Sequence, residues 1–176
     1  MNIATHLKLA DHMHHQLQQD GLELPRKPFL VGNIFPDIDP FHKYIRHYHD
    51  SMDKVLQMEA NLSSVKNSRQ YAFRSGMVAH YLTDFLCYPH FNNHTFWTHA
   101  KSHVEYELVL NEKAEAILSK LDLFRLNHHD SDKSLEYVLK QEIEHYSNQK
   151  DFQEDVFSAC RLILFLHRRQ QKLKFV

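Results

Sequence analysis

His80 and Asp84 stand four residues apart in the string AHYLTDFLCYPHF, and His90 follows six residues later. On a helix, positions i and i+4 share a face about a turn apart, so this pair presents an imidazole and a carboxylate side by side. A second string, THAKSHVEYE, carries His99, His103 and Glu107 at four-residue intervals, again on one helical face. A third stretch, GNIFPDIDPFHKYIRHYHD, offers Asp37, Asp39, His42, His47, His49 and Asp50. His6 falls in the first turn of the first predicted helix. Mixed histidine and carboxylate sets without cysteine suit zinc, and also manganese or iron. A metal with an open coordination position acidifies bound water and neutralises charge developing on a phosphoryl oxygen. A free carboxylate nearby then orients or deprotonates the nucleophile.

Each pair taken alone has a plainer reading. A single HxxxD on an amphipathic helix is more often a hydrogen-bonded core pair, and a single HxxxE a surface pair. The two together, with His90 between them and His47 upstream, favour a metal site. His99 is a ligand, a partner that orients a ligand, or a polar cap; the second is favoured. His12, His14 and His15 crowd one turn, so at least one faces solvent. His94 reads as loop, and His145 and His167 as core or surface residues. The doublet His128-His129-Asp130 sits beside a cap signal, and capping is its expected role. His49-Asp50 is the better HD doublet and carries a rival reading, an HD-type phosphohydrolase. Tyr81, Phe91 and Phe96 are candidates to line a pocket near the ligands.

These residues need helices to hold them. Ile3, Leu7, Ala10, Met13 and Leu17 recur at helical spacing over 3–19. The segment 21–41 holds four of the 5 prolines and two of the 3 glycines, and is read as a loop around a short helix at 28–34. Further helices are expected over 50–61, 64–87, 95–121, 131–147 and 150–172. Tyr88-Pro89 should end the fourth, because a residue before proline avoids the α region. Asn93 or Thr95 is the expected cap of the helix at 95–121, and Asp130 or Ser131 that of the helix at 131–147. No repeat or linker interrupts the chain. The expectation is one all-α, bundle-like domain over 1–176.

Composition agrees. Of 176 residues, 43% are hydrophobic and 24% charged, a globular mixture. So few glycines and prolines argue against a turn-rich β fold. A net charge of -1 leaves no electrostatic case for coating nucleic acid or a membrane. The basic run Arg168, Arg169, Lys172 and Lys174 is short and reads as a solvated helix end. Cys87 and Cys160 form no CxxC, so a disulfide framework is not expected. The N-terminal residues lack the apolar core of a signal peptide, and no stretch reaches the roughly 18 apolar residues of a membrane span, so a cytoplasmic location is expected. The outlier is histidine, at 16 residues; it is the commonest metal ligand.

The string from His80 through Asp84 to Pro89-His90 resembles the HxxxD(x5)H core of zinc-dependent phospholipases C, and His103-Val-Glu-Tyr-Glu107 resembles that family's HxxYE. Arg46 to Asp50 is similar to its upstream His-aromatic-x-Asp segment, and Gly32 to Asp37 to the GxxxPD loop of short members. His6 sits where the family has its N-terminal ligand histidine. The resemblance implies an all-α bundle and a phosphoester hydrolase with two or three zinc ions, acting on a lipid or small-molecule phosphoester. One metal would be held by His90, His103 and Glu107. A second would be held by His47, His80 and Asp84, with Asp37 as ligand or base. A third, weaker site would use His6 and a bridging Asp84. The chain departs from the secreted enzymes, which begin with a metal-binding tryptophan; here Met1-Asn2 stands first and the single tryptophan is Trp97. The related fungal single-strand nucleases share the metal core, so phosphoester hydrolysis is implied more firmly than lipid. A weaker resemblance, carried by MNIATHLKLA and the GN-x-x-x-D loop, is to acyl-carrier-protein phosphodiesterases. The competing class is a non-catalytic protein that holds metal structurally.

Overall fold

The computed structural model describes residues 1–39, 48–91, 96–121, 132–146 and 151–174, with the side chains of 48–50, 96–99 and 174 left aside. Among the described residues there are eight α-helices, one short 3-10 turn and no strand. The helices are α1 (Ile3–Gln19), α2 (Arg26–Ile38), α3 (Tyr48–Ala60), α4 (Ser68–Phe85), α5 (Tyr88–Phe91), α6 (Phe96–Leu118), α7 (Leu135–His145) and α8 (Phe152–Lys174). The all-α expectation holds.

Local chemistry explains the starts. The Asn2 side chain accepts from the Thr5 amide at 2.9 Å and opens α1, and Asn67 does the same for α4 through the Gln70 amide at 3.0 Å. Such caps satisfy amides that have no partner within the helix. The cap of α7 is Ser134, which accepts from the Tyr137 amide, three residues beyond the expected Ser131. Gly21, at φ 81, takes the left-handed conformation that follows α1.

Two expectations need correction. The short helix at 28–34 is in fact the thirteen-residue α2. Pro28 lies in its first turn, where its missing N–H bonds nothing in any helix, and Pro36 lies in its last turn, where the break affects little that follows. The fourth helix ends at Phe85, before the Tyr88-Pro89 signal; that dipeptide instead opens α5, Pro89 taking an early position that suits it.

Two helices are central. In α4 every residue from Ser75 to Phe85 is buried, and in α8 the run Leu162 to His167 is buried throughout. A helix apolar nearly all round belongs in the interior. Consequently any polar residue on that part of α4 is inside the protein, and His80, Thr83 and Asp84 are all 1% exposed. Helix α2 packs backbone to backbone against α4. A Cβ at Gly32 would overlap the Phe73 carbonyl, and one at Gly76 the Phe29 carbonyl. The two glycines let the backbones touch, which carries Asn33 and Asp37 to the ligand face of α4.

Cys87 and Cys160 are buried free thiols, as expected. Three residues of the basic C-terminal run have acidic partners: Arg168 pairs with Asp20 and Lys172 with Asp132, each at 2.8 Å, and Arg169 lies 3.4 Å from Glu59. Among the described residues no helix is long and apolar enough to cross a membrane.

Candidate metal centre

The ligand pairs meet because α1, α2, α4, α5 and α6 converge on one point. His80 and Asp84 project from α4, and His6 reaches them from the first turn of α1. The His6 and His80 rings stack with centroids 4.0 Å apart. The donor atoms of His6, His80 and Asp84 all lie within 4.8 Å of one another, and so do those of His90, His103 and Glu107. The groups adjoin: His90 Nε2 is 3.3 Å from Glu107 Oε1 and 3.7 Å from Asp84 Oδ1. His103 Nε2 is 3.0 Å from Glu107 Oε1, as the four-residue spacing on α6 requires.

The Asp84 carboxylate divides its oxygens. Oδ1 faces His6 Nε2 at 3.2 Å, and Oδ2 faces His80 Nε2 at 3.5 Å. Asp37 approaches the second side, its Oδ1 3.9 Å from His80 Nε2. The next carboxylate of that stretch, Asp39, stands at the C-terminal cap of α2. His47 lies outside the described residues, as do His42, His94, Asn93, Thr95 and the triplet His128 to Asp130; His49, Asp50, Phe96 and His99 lie on helices whose side chains are left aside there. Tyr81 is fully buried, and Phe91 packs on Tyr146 at 4.6 Å rather than lining the cleft. His14 is also buried, its Nε2–H donating to the Leu24 carbonyl at 2.7 Å. His12 and His15 line a groove on the α1–α6 surface instead.

Backbone and hydroxyl partners set the imidazole tautomers. His80 Nδ1–H donates to the Asn33 carbonyl at 2.7 Å. Thr83 Oγ1 donates its one proton to the His80 carbonyl at 2.7 Å, so at 3.2 Å from His6 Nδ1 it accepts. Both rings therefore turn Nε2 toward Asp84. Partners of this kind fix ring orientation in histidine metal sites. Neither Asn33 nor Thr83 had been singled out from the sequence, although Thr83 stands three residues past His80 and Asn33 lies in the quoted loop.

A further group arrives unannounced. The Met1 α-amino group is buried against Asp84 Oδ1, 3.0 Å from His90 Nε2 and 3.3 Å from Glu107 Oε1. Burial alone would lower the pKa of this amine, but Asp84, with help from Cys87 and Glu107, overrides it and holds the amine well above its usual value. An ammonium thus sits where the two groups meet. Burial, with His6 beside it, keeps His80 well below the usual imidazole range, and burial takes His90 down to about 4. Against the cost of burial, His90, the Met1 ammonium, His6 and His80 hold Asp84 well below the usual carboxylate range. Glu107 is likewise depressed, burial being outweighed by the ammonium and by hydrogen bonds to His103 and His90.

The residues fit a bound cation. The His80 Nε2 lone pair faces a buried carboxylate, an arrangement that repels unless positive charge lies between, and burial disfavours supplying it by protonating His80 or His90. The ammonium already supplies one positive charge there. Asp84 Oδ2 has no hydrogen-bond partner among the described residues. Histidine nitrogens with carboxylate oxygens and no sulfur are a zinc donor set. The site opens to solvent through a cleft of about 480 Å³ lined by Met1, Asn2, Ile3, Ala4, Asp37, His103, Val104 and Glu107.

No curated protein and no solved structure matches the chain. One family model does, that of zinc dependent phospholipase C, over residues 5–169, including the stretch after Glu107 in which no motif had been recognised. With that match running almost from end to end, and with the HxxxD and HxxYE helices meeting over one buried carboxylate, the chain belongs to the zinc dependent phospholipase C family.

Proposed function

We propose that the protein is a zinc-dependent hydrolase of phosphodiesters of the phospholipase C kind. The observation that carries this reading is the pair of adjoining donor groups, His6, His80 and Asp84 beside His90, His103 and Glu107, at the end of an open cleft. His90, His103 and Glu107 would hold one ion. His80 and Asp84 Oδ2 would hold another, with Asp37 in reach and His47 as a further ligand. A third ion between His6 and Asp84 Oδ1 requires the Met1 ammonium to give up its proton or withdraw. Manganese and iron suit the same donors.

Zinc bound there supplies Lewis acidity toward a phosphoryl oxygen and lowers the pKa of water toward neutrality. The chain contributes the rest. Asp37 stands at the cleft floor, 12% exposed and next to His80, placed to accept a proton from an attacking water. Asn33 and Thr83 hold the two rings in the tautomer that leaves Nε2 free. Met1, Ile3, Ala4 and Val104 give the mouth an apolar border that suits the acyl side of a phospholipid. Three donors in the group of His90, His103 and Glu107, beside a cleft, favour a catalytic site over a closed structural one, which would carry four protein ligands.

The test is elemental analysis of untagged protein, with hydrolysis of phosphatidylcholine vesicles and of bis(para-nitrophenyl) phosphate. Two or more ions per chain are expected, falling in His80→Ala and in His103→Ala. Asp37→Asn should abolish turnover while keeping most of the metal. No metal above background after addition of zinc or manganese sinks the proposal, and an unchanged rate in Asp37→Asn removes the role given to that residue.

A further inference from the structure

Asp155 is fully buried in the first turn of α8, far in sequence from the ligand motifs. Its Oδ2 accepts two hydrogen bonds, from the Tyr88 backbone N–H at 3.2 Å and from the Tyr106 hydroxyl at 2.8 Å. Its Oδ1 accepts from the Tyr146 hydroxyl at the end of α7. One carboxylate thus ties α8 to α5, α6 and α7.

Two of these partners border the metal ligands. Tyr88 begins the four-residue α5 that carries His90, and Tyr106 lies between His103 and Glu107 on α6. A four-residue helix has little register of its own. The His90 and Phe91 amides bond the Cys87 carbonyl at 2.9 and 2.8 Å, and the Tyr88 amide at the head of the turn depends on Asp155. Because one oxygen receives both Tyr88 and Tyr106, it sets the separation between the turn bearing His90 and the helix bearing His103 and Glu107. The Tyr88 and Tyr106 rings pack at 5.3 Å, and Tyr106 stacks on Phe152 at 4.7 Å, which adds ring contacts across the junction.

We propose that Asp155 is a positioning residue, which holds His90 in register with His103 and Glu107 so that the three form one metal-binding group. This inference rests on the metal reading above. Stability alone does not account for the arrangement. Burial pushes the Asp155 carboxyl up to about 6 even against four hydrogen bonds, the fourth from Cys87, and buried polar groups replaced together with their partners by apolar side chains of the same shape can cost nothing. What an apolar residue cannot do is bond two specified donors through one atom. Outer partners of metal ligands typically alter metal affinity by about 10–100-fold.

The experiment is a zinc titration against a chromophoric chelator, resolving two sites, on wild type, Asp155→Asn and the isosteric pair Tyr106→Phe and Tyr146→Phe, with thermal melts of the metal-free proteins. Glu142→Gln is the control: Glu142 of α7 is buried and makes paired bonds at 2.8–3.0 Å to Arg161 of α8. Asp155→Asn is expected to weaken one site by about 10–100-fold and spare the other. In a His103→Ala background, which already lacks the affected site, it should cost nothing further. Tyr106→Phe should give a smaller loss at the same site; if Asp155→Asn does not fold, Tyr106→Phe and Tyr146→Phe decide the matter alone. Glu142→Gln should lower the melting temperature and leave both sites intact. Asp155→Asn or Tyr106→Phe protein that melts earlier yet binds both ions like wild type, or that weakens both sites equally, overturns the inference. Wild type that binds no zinc overturns the metal reading and this one with it.

Discussion

At the scale of single residues, the site is defined by what each ring nitrogen does. Asn33 and Thr83 take the Nδ1–H groups of His80 and His6, leaving Nε2 on both rings directed at Asp84. A buried neutral imidazole also has a thermodynamic consequence. His90 titrates at about 4 in the folded protein, chiefly through burial, against about 6.5 in an unfolded chain. Between those values the unfolded state binds more protons, so stability is complete above pH 6.5 and is lost as pH falls toward 4. His80, Asp84 and Glu107, all depressed, act in the same direction. Asp155, raised to about 6, opposes them, favouring the folded state as pH drops through that value. The metal-free protein should therefore lose stability on acidification from pH 6.5 to 4, with His90 contributing roughly 3 kcal/mol. Urea unfolding at a series of pH values in chelator measures it, and a flat profile across that window would show that these histidines titrate normally.

At the scale of elements, the contact between α2 and α4 governs half of the site. Gly32 and Gly76 permit the backbones to touch, and the same approach delivers the Asn33 carbonyl to His80 and Asp37 to the cleft. Gly76→Ala would place a methyl group against the Phe29 carbonyl and the Asn33 amide, neither of which is a flexible side-chain end. The expected outcome is a loss of about 1–3 kcal/mol from overpacking together with weakened metal binding at His6, His80 and Asp84. Gly21→Ala supplies the contrast: its φ of +81 imposes strain, but a Cβ there meets nothing within 4 Å, so a cost of about 1 kcal/mol should come with normal metal binding. Melting temperature and metal content, read on both variants, distinguish them. Equal metal loss in both would mean that the helix contact does not position the site.

At the scale of the whole molecule, five helices place donors around one buried carboxylate, and the folded state alone assembles them. Metal that binds only the folded state must stabilise it, by about 2.7 kcal/mol at a hundredfold excess over the dissociation constant. For a chain of this size that is a rise of roughly 5–10 °C in melting temperature. Zinc should produce it and a chelator reverse it, as followed by circular dichroism, and His103→Ala should shrink it. No shift with saturating zinc would count against a built metal site.

Much of this was legible in the residues themselves. The period of the apolar positions determines α1 and α4, because a helix needs an apolar face to bury, and the four-residue spacings place His80 with Asp84 and His103 with Glu107, because that is the pitch of a helix. The length of α2 was not legible: Pro28 reads as the start of a short helix and Pro36 as a loop residue until their positions in the first and last turns are known. Nor was the roster of partners. Met1 and Asn33 reach the site from tens of residues away, Thr83 meets His6 across the same kind of distance, and Asp155 acts on it through Tyr88 and Tyr106; nothing in local sequence ties these partners together. Spacing within one helix is a property of the chain, set by backbone geometry. Which helices touch, how closely two glycines let them approach, and whose carbonyl or ammonium then meets an imidazole are decided by packing, which only the tertiary structure contains.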